Sequence, residues 1–294
     1  VTVLLQQILD GLTAGVLYAA IALSLVLVYR TSKLVNFAQG ELATFGAFLT
    51  WQFHDWGLPL SVALPASVAV SFVAGALMER TLIRPLLESS NHLGLFIVCL
   101  GVLVTLLQVE AWIWGYQVKE MPNVAEGPPI ALGPTMISRQ NVVIIAACVL
   151  IAVALWFLFQ RTRFGLAMRA ASDNTPSANL LGLPVTATLT FSWGIAAVIG
   201  TLMASLVAPN QFLQPGMLLP VLLYSVAAAT LGGLDSPVGA IVGGLVVGVV
   251  ENLAGTYVPG IGQDFKQAVA FAIIMIVLLA RPQGLFGSRT VVRV

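Results

Sequence analysis

Nine stretches of this chain are apolar and almost free of charge: residues 8–29, 41–54, 60–80, 94–115, 142–160, 187–208, 217–233, 237–256 and 266–281. Crossing a bilayer as a helix takes about 20 mostly apolar residues. Most of the stretches approach that length. The second is short and opens on Glu41, which fits a partial or tilted crossing. The reading is an all-α fold: a polytopic integral membrane protein of eight or nine transmembrane helices. Composition agrees. Hydrophobic residues make up 59% of the 294 and charged residues 9%, where a soluble chain carries about 25% charged. So little charge cannot cover a water-facing surface without large apolar patches.

The same shortage excludes several functions. The net charge is +1 and the basic residues are scattered, with no stripe to hold a nucleic acid. Cys99 and Cys148 lie inside apolar runs and read as small hydrophobes, not as a disulfide or metal pair. His54 and His92 stand far apart at helix ends and read as interfacial residues. No P-loop and no His-Glu-x-x-His occurs. An enzyme is therefore not expected, nor a cofactor in this chain. The first apolar run is followed, not preceded, by Arg30 and Lys33, which is the wrong order for a cleavable leader.

Basic residues orient a membrane chain, because they collect on the cytoplasmic side. With nine crossings and an outside N-terminus, one side holds Arg30, Lys33, Arg80, Arg84, Arg161, Arg163, Arg169, Arg281, Arg289 and Arg293. The other holds Lys119, Arg139 and Lys266, so the thirteen divide ten to three. The ten mark the cytoplasm, with the C-terminus inside and the N-terminus outside. Two loops are then long. Residues 116–141 face outside and carry Pro122, Pro128, Pro129 and Pro134, a composition for an ordered cap. Residues 161–183 face inside and are amphipathic. Helix-forming residues run from Gly165 to Ala171, and a second short helix is expected near Pro176–Leu181, with Gly182 as its stop.

Charges within membrane helices are costly and tend to pair or line cavities. Glu79, with Arg80 and Arg84 close behind, reads as an interfacial ion pair. Asp10 and Glu110 are placed near the outer interface. Glu251 and Asn252 lie deeper, in a glycine-rich helix, as a polar internal contact. Gly11/Gly15, Gly239/Gly243 and Gly244/Gly248 stand four apart, the spacing that lets helix backbones approach. The segment Val35-Asn36-Phe37-Ala38-Gln39-Gly40-Glu41 packs two amides, a ring and a carboxylate between two apolar runs. It is either a broken element lining a transport path, as irregular backbone at membrane depth must be, or a cytoplasmic turn that starts the next helix.

These residues resemble a known family, the permease subunits of branched-chain amino acid ABC importers, and among them the shorter of the two permeases. Three regions carry the likeness. Gly11 to Ala22 and Asn36-Phe37-Ala38-Gln39-Gly40-Glu41 resemble the family's first helix and its Asn-Phe-Ala-x-Gly-Glu signature, with Gln39 where His is frequent. Arg169-Ala170-Ala171-Ser172-Asp173 and Ala178-Asn-Leu-Leu-Gly182 resemble its coupling loop. Leu231 to Gly239 and Arg281 to Gly287 resemble its closing segment.

The resemblance implies a single transmembrane permease domain over residues 1–294 of a bacterial inner-membrane importer. It implies a second permease, two ATPase subunits that bind the ATP and Mg, and an extracytoplasmic substrate-binding protein. Residues 116–141 are the expected dock for that protein. Asn36, Phe37, Gln39, Glu41, Glu251 and Asn252 are the candidates for the pathway or gate. Arg169, Ala170, Ala171, Asp173, Ala178 and Gly182 are the candidates for the ATPase contact. The substrate stays open between branched-chain or related amino acids and urea or short amides. An ion-coupled secondary transporter is a weaker alternative, since the carboxylates are sparse and scattered.

Overall fold

The computed structural model describes residues 2–88, 92–173, 178, 180–258, 265–281 and 283–287. Eleven α-helices dominate them: α1 (Thr2–Ser32), α2 (Gln39–Asp55), α3 (Leu60–Met78), α4 (Arg84–Glu88), α5 (His92–Trp114), α6 (Arg139–Arg161), α7 (Arg163–Asp173), α8 (Val185–Gln211), α9 (Leu219–Gly232), α10 (Pro237–Tyr257) and α11 (Lys266–Ala280). A two-stranded antiparallel hairpin, β1 (Ile130–Leu132) and β2 (Thr135–Ile137), lies in the loop after α5. Each of the nine apolar stretches falls on a helix. Six helical segments are long and apolar enough to cross a membrane, while α9 and α11 are shorter apolar helices.

The chain forms two compact units. One comprises residues 1–26, 125–148 and 220–294, the other residues 27–124 and 149–219. In the first, helices meet along glycine. A Cβ on Gly15 would stand 2.8 Å from the Gly244 carbonyl oxygen, and one on Gly248 would run into the Gly15 Cα. The spaced glycines thus let α1 and α10 touch backbone to backbone, as packing without a hydrophobic driving force requires. Helix α10 starts cleanly: Pro237 occupies its first turn and the Ser236 hydroxyl accepts from the Gly239 N–H at 3.0 Å. The tail returns to α9, where Leu285 N–H donates to the Leu231 carbonyl at 2.8 Å and Phe286 N–H to the Gly232 carbonyl at 3.0 Å.

In the second unit α2 is the buried centre, packed on α3, α5 and α8. Gly46 presses on Thr201, and Thr50 bonds both Ser67 and Ser205, so a polar knot ties α2, α3 and α8. Helix α3 continues through a π-helical turn, Glu79–Ile83, into α4. That turn explains the ion pair. Arg84 Nη2 reaches Glu79 Oε2 at 2.8 Å and also donates to Thr190 of α8. A five-residue spacing faces itself in a π turn, not in an α-helix. The partner of Glu79 is therefore Arg84, with no ion pair to the adjacent Arg80 among the described residues.

Candidate functional site

Two polar clusters are buried in this apolar frame, one in each unit. The cluster in residues 27–124 and 149–219 begins with the start of α2. Gln39 Nε2 donates to the Ala196 carbonyl at 2.8 Å. Ala196 is 11 residues into α8, about 17 Å along its axis. Helix α2 therefore begins beside the middle of α8, not at its end. Asn36 makes this start possible. Its Oδ1 accepts from the Ala38 N–H at 3.0 Å, an Asx turn, and its Nδ2 approaches Gln39 Oε1 at 3.4 Å. Phe37 meets Phe96 of α5 edge to face at 5.6 Å. Asn36, Gln39 and Glu41 are all fully buried. The segment 35–41 is thus a buried break in the chain and not a solvated turn.

Glu41 has an unexpected neighbour. Glu110, placed near the outer interface by the sequence, is fully buried on α5 beside it. The Gly216 peptide N–H also faces Glu41. Neither neighbour completes a hydrogen bond of regular geometry: all four carboxylate oxygens are buried without a partner. Between α3, its π-helical turn and α5, with Leu42 of α2, lies an open groove of about 690 Å³, lined by Leu77, Met78, Leu82, Ile97, Val98 and Val102 among others. Its walls are almost wholly apolar.

The other unit holds Glu251 and Asn252 of α10. Tyr18 of α1 donates to Glu251 Oε2 at 2.7 Å and stacks on Tyr224 of α9, ring centroids 4.8 Å apart. Asn252 Nδ2 donates to the Gln7 carbonyl at 2.7 Å and to its side-chain oxygen at 2.8 Å, and Asn252 Oδ1 accepts from Lys266 Nζ at 3.4 Å. These contacts pin α1, α9, α10 and α11. Tyr18, Tyr224 and Glu110 are the residues that the sequence reading left out of its candidate set. The signal for Glu110 was present, a lone acid inside an apolar run.

The segment around α7 is separate. Helix α7 places Arg169, Ala170 and Ala171, and the Arg169 guanidinium donates to Gln160 at 3.2 Å. Ala171 and Ala178 are buried together with Val185, so the return path folds back onto α8. Asp173 ends α7. Residues 174–177 and 179, which include the start of the expected second helix, lie outside the described residues. Gly182 has φ +72, and the Leu183 N–H bonds the Ala178 carbonyl, the closure of a left-handed helix stop. Leu180 and Leu181 are 90% and 79% exposed. Cys99 and Cys148 are free and buried, and no group of three metal-binding side chains occurs among the described residues.

Six helical segments long and apolar enough to cross a membrane define a class: a polytopic membrane protein. Comparison with known proteins makes this specific. The family described as "Branched-chain amino acid transport system / permease component" matches residues 7–278, and the chain belongs to it. Similar proteins include the high-affinity branched-chain amino acid transport system permease protein BraD of Pseudomonas aeruginosa, 29% identical over 99% of this chain and 98% of that one. LivH of Escherichia coli K12, with the same description, is 29% identical over 99% and 97%. A probable LivH of Methanocaldococcus jannaschii is 25% identical over 96% and 92%. Among solved structures, PsaBC from Streptococcus pneumoniae in complex with Fab aligns with 93% of this chain and 91% of its own at TM-score 0.53 and 12% identity, a likeness of fold alone.

Proposed function

We propose that this chain is the permease subunit of an ABC importer, forming the translocation pathway for branched-chain or related amino acids. The observation that carries this reading is the family match over residues 7–278, together with relatives of the same length that are described as branched-chain amino acid permeases. The whole chain acts as one permease domain of the bacterial inner membrane. Eight or nine helices cross, drawn from α1, α2, the α3–α4 segment, α5, α6, α8, α9, α10 and α11. The N-terminus is outside and the C-terminus inside, a reading supported by the ten-to-three division of basic residues.

Energy comes from two partner ATPase subunits, which bind the ATP and Mg. Residues 161–183 are their contact, through Arg169, Ala170, Ala171, Asp173, Ala178 and Gly182. Support comes from an amphipathic helix followed by two exposed leucines and a glycine stop. A second permease completes the pathway, and an extracytoplasmic binding protein docks on residues 116–141. The broken start of α2, with Asn36, Phe37, Gln39 and Glu41, lines the path. Glu251 and Asn252 are the further candidates for the pathway or gate.

The test is uptake of labelled leucine into vesicles holding this chain with its partner subunits and binding protein. Uptake that requires ATP is the expected result. Uptake driven by an ion gradient without ATP would refute the reading. Stimulated ATP hydrolysis without leucine uptake would move the substrate to urea or a short amide.

A further inference from the structure

Where α3 gives way to its π-helical turn, the second unit carries a charge that its own fold does not answer. Arg80 stands in that turn, exposed, and no ion pair or hydrogen bond reaches it among the described residues. Arg84 is already committed. Its Nε and Nη2 donate to the two oxygens of Glu79 at 3.1 and 2.8 Å, and Glu79 is fully buried. The Thr190 hydroxyl of α8 also donates to Glu79 Oε2, at 2.8 Å. The Glu79–Arg84 pair cancels, so the charge of the cluster rests on Arg80. Thr186 lies one turn before Thr190 on α8. It too is exposed, and its hydroxyl has no hydrogen bond among the described residues.

These side chains surround an open pocket of about 470 Å³ with two unlike ends. The polar end is Arg80, Arg84, Thr186 and Thr190. The apolar end is Phe72 and Phe191, whose rings meet edge to face at 5.6 Å. The ends are ordered along the membrane. Arg80 stands 20 residues beyond Leu60, the start of a membrane-spanning segment, which is about 30 Å along the axis. That is about the thickness of the hydrocarbon core. Phe72 lies eight residues before Arg80, about 12 Å deeper. The polar end therefore meets the headgroup layer and the apolar end meets the acyl chains.

A spare guanidinium and a spare hydroxyl at headgroup level, above an aromatic floor, complement a phosphate ester that carries an acyl chain. The headgroup must be anionic overall. A zwitterionic lipid brings an ammonium group as well, and the pocket has no acid for it: none lines it, and both oxygens of Glu79 are engaged. A free phosphate, or an acidic side chain of a partner protein in the water phase, would use Arg80 and leave the phenylalanine floor bare. We propose that Arg80 and Thr186 hold the phosphate of an anionic phospholipid whose acyl chain lies on Phe72 and Phe191. The site needs only a chain in a bilayer and stands apart from the importer reading. Phe191 also meets Phe164 of α7 edge to face at 4.6 Å. The lipid thus bears, through one ring, on the first turn of the helix that carries Arg169.

The experiment uses the full chain with the subunits that copurify with it, in nonionic detergent, and reads bound lipid by native mass spectrometry. The probes are phosphatidylglycerol and phosphatidylcholine with the same acyl chains. The wild type should hold phosphatidylglycerol about tenfold more tightly, the worth of a hydrogen bond to a charged group. Arg80→Gln should erase that preference, and Arg80→Lys should keep part of it. Thr186→Val should weaken phosphatidylglycerol about threefold, the worth of one ordinary hydrogen bond. Equal binding of the two lipids by the wild type overturns the proposal, as does an unchanged preference in Arg80→Gln. Displacement of phosphatidylglycerol by inorganic phosphate also overturns it, by making the pocket a site for a free anion. Loss of partner subunits from Arg80→Gln with lipid binding intact overturns it in favour of a protein contact. If the Arg80 variants fail to fold, Thr186→Val decides: unchanged phosphatidylglycerol binding there rejects the site.

Discussion

The two units bury acids in opposite ways. Glu251 is 7% exposed, receives the Tyr18 hydroxyl at 2.7 Å and has Tyr224 and Lys266 in reach. Glu41 and Glu110 are wholly buried and face each other and the Gly216 peptide N–H, with no hydrogen bond of regular geometry. The first arrangement is finished: its donors come from neighbouring helices, and its product is a fixed helix packing. The second sets two acids against each other where α2 meets α5, with no cation on either helix near them. A buried acid is therefore not by itself a sign of function. What separates a structural acid from a functional one is whether the fold supplies its partner.

The largest way to break the comparison is at the glycine seam. Gly248→Leu would drive a side chain into the backbone at Gly11 and Gly15 and part Tyr18 from Glu251. A loss of about 3 kcal/mol is expected, as for overpacking of a tight core, read as a lower thermal unfolding temperature in detergent. Next is Tyr18→Phe, which removes the donor and leaves the shape. It should cost about 2 kcal/mol, because a buried carboxylate oxygen loses its bond.

The same measurement on Glu110→Gln should show the opposite sign, a gain of about 1 kcal/mol, since it removes one of two adjacent buried carboxyl groups and lets an amide bond Glu41. A loss of stability there would mean that the pair is satisfied and that the two units do not differ. The smallest effect belongs to Gly182→Ala, which costs about 1 kcal/mol for a side chain in left-handed backbone. Uptake per ATP should fall more than stability does if this stop presents the ATPase contact.

Much of this was legible in the sequence, because bilayer thickness imposes a length on apolar runs. All nine runs became helices, and the spaced glycines became close approaches, since both signals are local. Asn36 to Glu41 stood out by the same logic, as polar residues where apolar ones are expected. Pairings across long separations left no trace. Tyr18 and Glu251 are 233 residues apart, and nothing in the spacing of either joins them. The burial of Glu110 was missed for a related reason. It sits four residues before the end of α5, where an acid ordinarily reaches the interface, but the inward face of that turn packs on α2. Position along a helix sets depth, while only rotation sets burial, and a single acid in an apolar run does not reveal the rotation.

The bonds from Leu285 and Phe286 to the carbonyls of Leu231 and Gly232 have a consequence in time. The end of a helix leaves carbonyls bare, and inside a bilayer bare carbonyls are expensive. For α9 the donors that cover them are synthesised 54 residues after the first carbonyl they serve, counting from Leu231 to Leu285. Helices α10 and α11 must emerge in between. A ribosome that has finished α9 has thus not yet made the means to seal it, and this unit closes only as the last described stretch of chain arrives.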